Sequence, residues 1–296
     1  MLRFKMGNKE WDNTLNRENG MNSPSVLIVI LNYRTYELTL ELIKKLNDLD
    51  YDNYDVMVID NCSPNESVEV LNKKSKELNY FFYANKTNSG YAAGNNIGIR
   101  YAYKHGYTYT WILNNDVIIL DQNLLQHLVK TIRQRKNVAV IGPKIITRND
   151  SVCAPYCRRP SFKSLTFGIA TERNYRRRFN NIPREVYRVY GCCMLLDTKA
   201  MHEVDYMDER TFLYGEEDIL AERLLEKGYI AYYDPAVRVK HNESTSMRTT
   251  PKEKQKAILR ARGESRKIYL KEYRNFSKWQ IAMIGFVADT IARIRG

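Results

Sequence analysis

The sequence lacks several features that define other protein classes. Its 296 residues contain no run of about 20 consecutive apolar residues, and Met1–Ser23 is polar and charged. We therefore expect neither secretion nor a membrane-spanning anchor. No GxGxxG motif follows the first strand-like run, which disfavours a Rossmann dehydrogenase. The five cysteines are odd in number and form no pair of CxxC motifs, which favours a reducing, cytoplasmic setting over a zinc site or a disulfide framework.

Acidic residues are scarce relative to basic ones. The chain has 47 Lys and Arg against 34 Asp and Glu, a formal net charge of +13. This excess favours an anionic partner, such as nucleic acid, a membrane surface or a phosphorylated substrate, and charge alone does not choose among them. Between Cys157 and Arg188 nine basic residues accompany two acidic ones without clear periodicity, which predicts a long surface excursion.

Strand-like and helical patterns alternate along the first half of the chain. Val26–Leu31 and Val56–Ile59 are continuous apolar runs typical of buried strands, and between them apolar residues recur at helical spacing. The alternation continues with a helix over 67–78, a strand over 80–84, a helix over 93–104 and a strand over 109–113. It predicts an α/β fold with an open, mostly parallel twisted sheet and helices on both faces. Later elements are a strand over 190–196, a helix over 217–227, a strand over 230–233 and a helical tail from Lys252.

Polar clusters follow three of the strand-like runs. They are Asn32-Tyr33, Asp60-Asn61 and Asn114-Asn115-Asp116. Because ligands of such sheets bind beyond the carboxyl ends of the strands, we expect the clusters to meet in one crevice. Asp116 could hold a divalent cation together with phosphate oxygens, although a plain polar turn explains the same residues. Asp60 could accept hydrogen bonds from a base or ribose, with an Asx-turn or helix cap as the alternative.

Three further motifs carry candidate functional residues. The small residues from Gly90 to Asn96 would let the backbone approach a ligand at the start of a helix. Glu216, Glu217 and Asp218 begin another helix, where they are either acidic caps or include a general base for a sugar hydroxyl. His241 follows a strand and could reach a metal or diphosphate, although a lone histidine is commonly structural.

The sequence resembles glycosyltransferase family 2 enzymes of the GT-A fold in the order and spacing of seven segments. These are VILNYRTYELTLELIKKL, VIDNCSPNES, NSGYAAGNNIGIRYA, WILNNDV, YGCCMLLDTKAM, MDERTFLYGEEDILAERLLEKGY and VKH. It is especially similar to members that assemble bacterial O-antigen and capsule chains, including rhamnosyltransferase-like enzymes. The resemblance extends over residues 25–246.

The resemblance implies roles for individual residues. Asn114 and Asp116 match the ends of the DxD motif, so Asp116 is the expected ligand of Mg²⁺ or Mn²⁺, and Asn114 departs from the acidic pattern. Glu217 takes the aspartate position of the Glu-Asp base motif, and the neighbouring Glu216 and Asp218 leave the choice of base open. His241 matches a histidine near the metal and diphosphate. The expected residues of the nucleotide-sugar site are Asn32, Tyr33, Asp60, Asn88, Gly90, Asn95, Asn114 and Asn115.

The implied reaction is inverting transfer from a UDP- or dTDP-sugar to a glycan or lipid-linked acceptor in cell-surface polysaccharide synthesis. A carboxylate near Glu217 would take the acceptor proton, and the ion on Asp116 would offset charge on the leaving diphosphate. The alternatives are a non-catalytic glycan-binding relative and a basic nucleic-acid-binding protein. We do not expect a nucleic-acid partner.

The expected organisation has four parts. They are an N-terminal extension over 1–24, a nucleotide-sugar-binding half over 25–150, an acceptor-binding half over 151–250 and a basic, amphipathic helical segment over 251–296. In that last segment, basic residues between Arg260 and Arg274 precede an apolar face from Trp279 to Ile294. This pattern suits docking on the inner face of an anionic cytoplasmic membrane. Packing on the catalytic domain, or on a second subunit of a homo-oligomer, is the alternative.

Overall fold

The computed structural model describes residues 23–242 and 252–295. The predicted extension over 1–24 therefore lies outside the described residues except for Ser23 and Pro24. In chain order the strands are β1 Val26–Asn32, β2 Tyr54–Asp60, β3 Phe81–Ala84, β4 Tyr109–Leu113, β5 Val117–Ile119, β6 Val138–Thr147, β7 Arg184–Val186, β8 Cys193–Asp197 and β9 Ile230–His241. The helices are α1 Tyr36–Leu46, α2 Ser67–Lys74, α3 Gly90–Lys104, α4 Leu124–Arg133, α5 Phe162–Leu165, α6 Ile169–Arg177, α7 Thr198–Glu203, α8 Glu216–Glu226, α9 Lys252–Ile268 and α10 Lys278–Arg295. A π-helical turn, Tyr269–Tyr273, follows α9.

The predicted α/β sheet is confirmed, and it is mixed. Its strand order is β3-β2-β1-β4-β8-β6-β9-β5, with β7 paired to β9. The pairs β3-β2, β2-β1, β1-β4 and β6-β9 are parallel, whereas β4-β8, β8-β6, β9-β5 and β9-β7 are antiparallel. The parallel share is therefore smaller than the sequence predicts, because β8 inserts between β4 and β6 in the opposite direction. Both predicted halves of the chain contribute strands to this one sheet.

Burial on both faces of the sheet explains why apolar and polar residues do not alternate along the first strands. Val26–Ile30 are all fully buried, and so are Trp111 and Leu113 of β4, because helices cover both faces of the sheet there. Helix α3 packs very close to β1. A Cβ at Gly98 would lie 2.5 Å from a methyl of Val29, so glycine is required for this approach.

The parallel register aligns the strand ends that carry the polar clusters. Asn32, the last residue of β1, pairs with Asp60, the last residue of β2. Strand β4 ends at Leu113, directly before Asn114. The three predicted clusters consequently lie at one edge of the sheet.

The basic stretch between β6 and β8 has more regular structure than the sequence predicts. It contains α5, α6 and β7, and aromatic rings with arginines stacked over them stabilise it in place of an apolar core. The Arg176 and Arg188 guanidinium carbons lie 3.4 and 3.5 Å from the ring centre of Tyr156, and that of Arg158 lies 3.2 Å from Tyr175. Such contacts leave no periodic signal in the sequence.

The predicted helical tail is confirmed as α9 and α10. Ile284 of α10 is fully buried in a cluster with Ile219 of α8 and with Tyr269 and Leu270 of the π-helical turn. The tail thus packs on the helix that begins with the three carboxylates. Within residues 23–242 and 252–295, no helix combines the length and apolar character needed to cross a bilayer.

Candidate active site

A buried polar network joins the ends of β1 and β2 to the loop after β4. The Asn32 amide donates to Asp60 Oδ2 at 2.7 Å, and the Thr39 hydroxyl donates to Asn32 Oδ1 at 2.9 Å. Asn115 in turn donates to Thr39 Oγ1 at 2.9 Å. The Ser63 N–H and hydroxyl donate to the two Asp60 oxygens. These bonds fix the shape of the crevice floor.

The network sets what each predicted donor-site residue presents to a ligand. Asn32 and Asp60 are fully buried, and their polar atoms are bonded to each other and to neighbours, so they support the crevice floor. Asn115 donates to Thr35 in the β1-α1 connection and to Thr39 of α1, so it does the same. Tyr33 is 41% exposed, and Asn114 is partly exposed with no side-chain hydrogen bond to any described residue. Tyr33 and Asn114 are therefore the members free to contact a nucleotide.

A second network shapes the loop before α3. Asn61 donates to Asn88 Oδ1 at 2.9 Å and to the Gly90 carbonyl at 3.1 Å. Gly90 has φ of +88° and faces the Phe212 backbone so closely that a Cβ would lie 2.3 Å from its carbonyl oxygen. Asn95 is fully buried and donates to the Tyr91 carbonyl, while its Oδ1 has no partner among the described residues. Asn88 and Gly90 thus hold this loop in place, and Asn95 lies beneath it.

Asp116 and His241 form a pair with the properties of a partial metal site. Antiparallel pairing of β5 and β9 brings them together, and the Asn242 N–H donates to the Asp116 carbonyl at 3.1 Å. Asp116 Oδ1 lies 3.1 Å from His241 Nε2, yet this buried oxygen accepts no hydrogen bond of acceptable angle from any described residue. Adjacent ligands of an octahedral ion with bonds of about 2.1 Å lie about 3 Å apart, so the pair fits two neighbouring ligand positions.

No group of three or more His, Cys, Asp or Glu side chains in the described part of the chain could hold a metal ion. The side chains whose atoms fit two ligand positions of a metal ion are therefore those of the Asp116-His241 pair. Diphosphate oxygens and water would complete the coordination, as is usual for Mg²⁺ in nucleotide sites.

Gly191 connects the donor side of the crevice to the carboxylates of α8. Its N–H donates to Glu217 Oε1 at 3.1 Å, and its carbonyl accepts from the Tyr91 hydroxyl at 2.7 Å. The next carbonyl, of Cys192, accepts from the Asn114 N–H at 2.9 Å. A Cβ at Gly191 would lie 2.6 Å from Glu217 Oε1, so a larger residue would displace that carboxylate. The turn at Gly191 and Cys192 therefore fixes the positions of Asn114 after β4, Tyr91 of α3 and Glu217 of α8.

The three neighbouring carboxyl groups of α8 have different environments. Asp218 Oδ1 accepts from Arg188 Nε at 2.7 Å, which compensates its charge. Glu216 is only 4% exposed, and burial, followed by the nearby Glu217 carboxylate, raises its pKa well above the ordinary range. Glu217 is partly exposed, and within the described residues its second oxygen accepts no hydrogen bond. Glu216 Oε2 also lacks a hydrogen-bond partner among the described residues, but it is buried. Glu217 is consequently the carboxylate of the three that is partly exposed and forms no salt bridge within the described part of the chain.

Backbone hydrogen bonds of Gly191 and Cys192 link Glu217 to the loop that carries Asp116, and the pKa shifts of two neighbouring buried groups agree with this proximity. Burial raises the pKa of Tyr91 well above its usual value, and the Glu217, Glu216 and Asp116 carboxylates raise it further. The pKa of Cys192 is raised by burial and also, in part, by Asp116 and Glu217. The structure thus brings Asp116, His241 and the carboxylates of α8 to one crevice.

Three residues that shape this site are not among the predicted site residues. Tyr91 and Gly191 lie inside segments that carry the family resemblance, and Arg188 ends the basic stretch; each acts through contact with a residue distant in sequence. Gly191 falls within the predicted strand over 190–196, whereas β8 begins at Cys193, and a glycine at that place was the available signal. A cavity of about 360 Å³ lined by Pro24, Tyr51 and Arg133 lies at the amino end of β1, opposite the crevice, and is separate from it.

The sequence is similar to that of a hexosyltransferase of glycan biosynthesis. The chain is 25% identical over 209 residues to the low-salt glycan biosynthesis hexosyltransferase Agl10 of Haloferax volcanii, covering 70% of this chain and 63% of Agl10. It thus spans less than two thirds of that relative's length.

Two solved structures share the fold at low sequence identity. GalNAc-T7 with UDP, GalNAc and Mn²⁺ has a TM-score of 0.62 and 15% identity, covering 86% of this chain and 50% of that one. The mannosyltransferase PcManGT from Pyrobaculum calidifontis with GDP-Man and Mn²⁺ has a TM-score of 0.55 and 14% identity, covering 92% and 76%. The family model "Glycosyl transferase family 2" matches residues 25–205, more than half of the chain. The chain belongs to glycosyltransferase family 2.

Proposed function

We propose that this chain transfers a hexosyl or rhamnosyl group, with inversion, from a nucleoside diphosphate sugar to a hydroxyl of a glycan or lipid-linked saccharide. The observation that carries the proposal is the placement of the Asp116-His241 pair in the same crevice as Glu217. Residues 25–150 would bind the donor and residues 151–250 the acceptor.

Asp116 and His241 are the residues that would hold Mg²⁺ or Mn²⁺. The buried oxygen of Asp116 without a hydrogen-bond partner, 3.1 Å from an imidazole nitrogen, supports this assignment. A bound divalent ion supplies Lewis-acid stabilisation of the negative charge that develops on the leaving diphosphate. The Mn²⁺ in the two similar structures, which hold UDP in one case and GDP-Man in the other, agrees with such a site.

Glu217 is the proposed general base. The Gly191 N–H fixes one of its oxygens, and the other is free to accept the proton of the attacking hydroxyl. Asp218 is less suited because it forms a salt bridge with Arg188, and Glu216 because it is buried away from an acceptor and burial raises its pKa. A single displacement inverts the anomeric carbon, so one base suffices and no covalent enzyme intermediate forms.

The donor would lie along the crevice edge formed by Tyr33, Asn114 and the loop from Asn88 to Gly90. Tyr33 presents an exposed ring on which the nucleotide base would stack. Asn114 presents a side-chain amide that makes no hydrogen bond to a described residue and would bind phosphate or sugar. We propose UDP or dTDP as the nucleotide and cell-surface polysaccharide synthesis as the process. The hexosyltransferase relative that acts in glycan biosynthesis supports such a role.

The test combines binding with turnover. Melting temperature is measured with UDP, dTDP and GDP, each with and without Mn²⁺, since a ligand that binds only the folded state raises it. Sugar nucleotides of the stabilising base are then assayed for Mn²⁺-dependent release of the nucleoside diphosphate. Stabilisation with release supports the transferase. Stabilisation without release under any acceptor supports a non-catalytic relative, and no response to any nucleotide contradicts the proposal.

A further inference from the structure

The excess of basic over acidic residues in this protein comes from two segments. Residues 157–188 contain nine basic and two acidic side chains, and residues 252–295 contain twelve and four. The remainder of the chain has 26 basic and 28 acidic residues, so it is slightly negative. The whole net charge of +13 therefore comes from the excursion before β8 and from the C-terminal helices.

These two segments pack together. Phe162 of α5 makes edge contacts with Trp279 of α10, at 5.2 Å between ring centres, and with Phe276, at 6.5 Å. Exposed lysines stand next to the stacked rings, since Lys163 follows Phe162 and Lys278 precedes Trp279. The two basic segments are thus in contact through these rings, with an exposed lysine on each side of the contact.

These two segments also expose large apolar side chains. Trp279, Met283 and Phe286 recur at the spacing of one helix face on α10 and are 62%, 37% and 69% exposed. Phe167, in the connection between α5 and α6, is 78% exposed. We use the name basic aromatic surface for Phe167, Trp279, Met283 and Phe286 with Lys163 and Lys278.

The basic aromatic surface belongs to segments that also bind the catalytic helix. Arg159 donates to Glu222 of α8 at 3.0 Å, Arg188 holds Asp218, and the hydroxyls of Tyr187 and Tyr269 lie 2.9 Å apart. The Arg262 guanidinium lies 5.2 Å from the ring centre of Tyr214, two residues before Glu216. An object docked on this surface would therefore be held at a fixed position relative to the three carboxylates.

From these observations we infer that the basic aromatic surface docks on an anionic lipid bilayer. Exposed Trp, Phe and Met side chains enter the boundary between headgroups and acyl chains, and neighbouring lysines bind anionic headgroups. A second copy of the chain fits less well, because two such surfaces would bring like charges together. A nucleic acid fits less well because Trp279, Met283 and Phe286 form an apolar face on one side of α10, which suits the acyl-chain boundary of a bilayer better than a phosphate backbone. The bilayer would present an acceptor to Glu217, and this last part rests on the proposed transferase function.

The experiment is co-sedimentation of the full-length protein with vesicles of phosphatidylcholine alone or mixed with phosphatidylglycerol. We expect binding to the anionic vesicles that weakens at high salt, and little binding to the neutral ones. Lys163→Glu with Lys278→Glu should lower the partition coefficient by at least about thirtyfold, because each basic group near an anionic surface contributes about fivefold and the new carboxylates are repelled. The matched control, Lys44→Glu with Lys73→Glu, changes exposed lysines of α1 and α2 and should bind like the wild type.

The apolar contribution is tested separately. Trp279→Ser with Phe286→Ser should abolish vesicle binding, and Phe286→Asp alone, which leaves the Phe162 stacking intact, should also weaken it strongly. The control Leu225→Ser removes an exposed apolar side chain of α8 outside the surface. Variants that bind like the wild type, absence of binding at low salt, or a dimer that these substitutions dissociate without any vesicle binding would each overturn the inference. UDP-dependent stabilisation, measured on the same samples, distinguishes this failure from failure of the proposed function.

Discussion

Glu216, Glu217 and Asp218 are adjacent in sequence, and their surroundings give them different chemistry. Asp218 forms a salt bridge with an arginine, burial raises the pKa of Glu216, and Glu217 is partly exposed with one oxygen held by a backbone N–H. The distinction depends on Arg188 and Gly191, which come from another part of the chain. A sequence motif that contains three carboxylates therefore predicts the presence of a base and leaves open which residue it is.

The first prediction concerns Glu217. Glu217→Gln keeps the shape and the Gly191 contact and loses the proton acceptor, so kcat should fall by about 10²- to 10⁴-fold with nearly unchanged donor KM. Steady-state kinetics with varied donor provide the measurement, with the exposed Glu226→Gln of the same helix as control. If Asp218→Asn shows this kinetic split and Glu217→Gln does not, the base is Asp218.

Glu216 should make stability depend on pH. Its pKa is raised in the folded protein, so above the ordinary carboxyl value of about 4.5 the folded state binds more protons than the unfolded state. The free energy of unfolding should therefore fall as pH rises from there toward the folded-state pKa. The slope contributed by one proton is at most about 1.4 kcal/mol per pH unit. Melting curves of the wild type and Glu216→Gln across this range test the prediction, and parallel pH profiles would contradict it.

Asp116 should matter for metal binding and little for folding. Its buried oxygen makes no hydrogen bond to a described residue, so Asp116→Asn should leave the melting temperature of the metal-free protein unchanged or slightly raised. The variant should lose the Mn²⁺-dependent part of the stabilisation by UDP, and with it the metal-dependent transfer. Asp150→Asn, which alters an exposed carboxylate, is the control. Full turnover with added Mn²⁺ would remove Asp116 from the site.

At the scale of elements, α8 is held by arginines from two other segments. Asp218 and Glu222 are four residues apart on one face, where Arg188 pairs with the first, and Arg159 and Arg274 pair with the second. Arg188 also lies over Tyr156. The basic stretch over 157–188 therefore helps to hold α8, which carries the proposed general base.

The salt bridge between Arg188 and Asp218 predicts a measurable coupling energy between these two residues. Arg188→Met should lower the free energy of unfolding, by somewhat less than the 3–5 kcal/mol typical of a fully buried broken pair, because Asp218 remains about a quarter exposed. Adding Asp218→Asn should recover part of the loss, which a double-mutant cycle in urea would measure. The exposed Arg177→Met of α6 serves as control. Strict additivity of the two substitutions would show that the pair does not support α8.

At the scale of the whole molecule, the sequence predicts the parallel part of the fold well because its information is local. The composition of Val26–Leu31 alone predicts a buried strand. The positions of the polar clusters after β1, β2 and β4 are predicted by where those strands end. The antiparallel insertion of β8 is not local, since it depends on which strand reaches β4 after a long excursion. The contacts of Tyr91 with Gly191 and of Arg188 with Asp218 join distant positions and leave no spacing to detect.

At the same scale, helix α10 has two opposite faces, one packed on the protein and one exposed. Ile284 is buried against Ile219 and Leu270, whereas Trp279 and Phe286 are exposed. Ile284→Ala should therefore lower the free energy of unfolding by about 2–5 kcal/mol, the range for a large apolar residue truncated in a core, and leave vesicle binding intact. A chain ending at Ser277 should lose both stability and vesicle binding, while UDP with Mn²⁺ still raises its melting temperature because the proposed donor and metal residues, the last of which is His241, all lie before α9. Melting curves and vesicle sedimentation on the two proteins separate the faces. Loss of vesicle binding by a folded Ile284→Ala protein would mean that binding depends on the packing of α10 and that its faces are not independent.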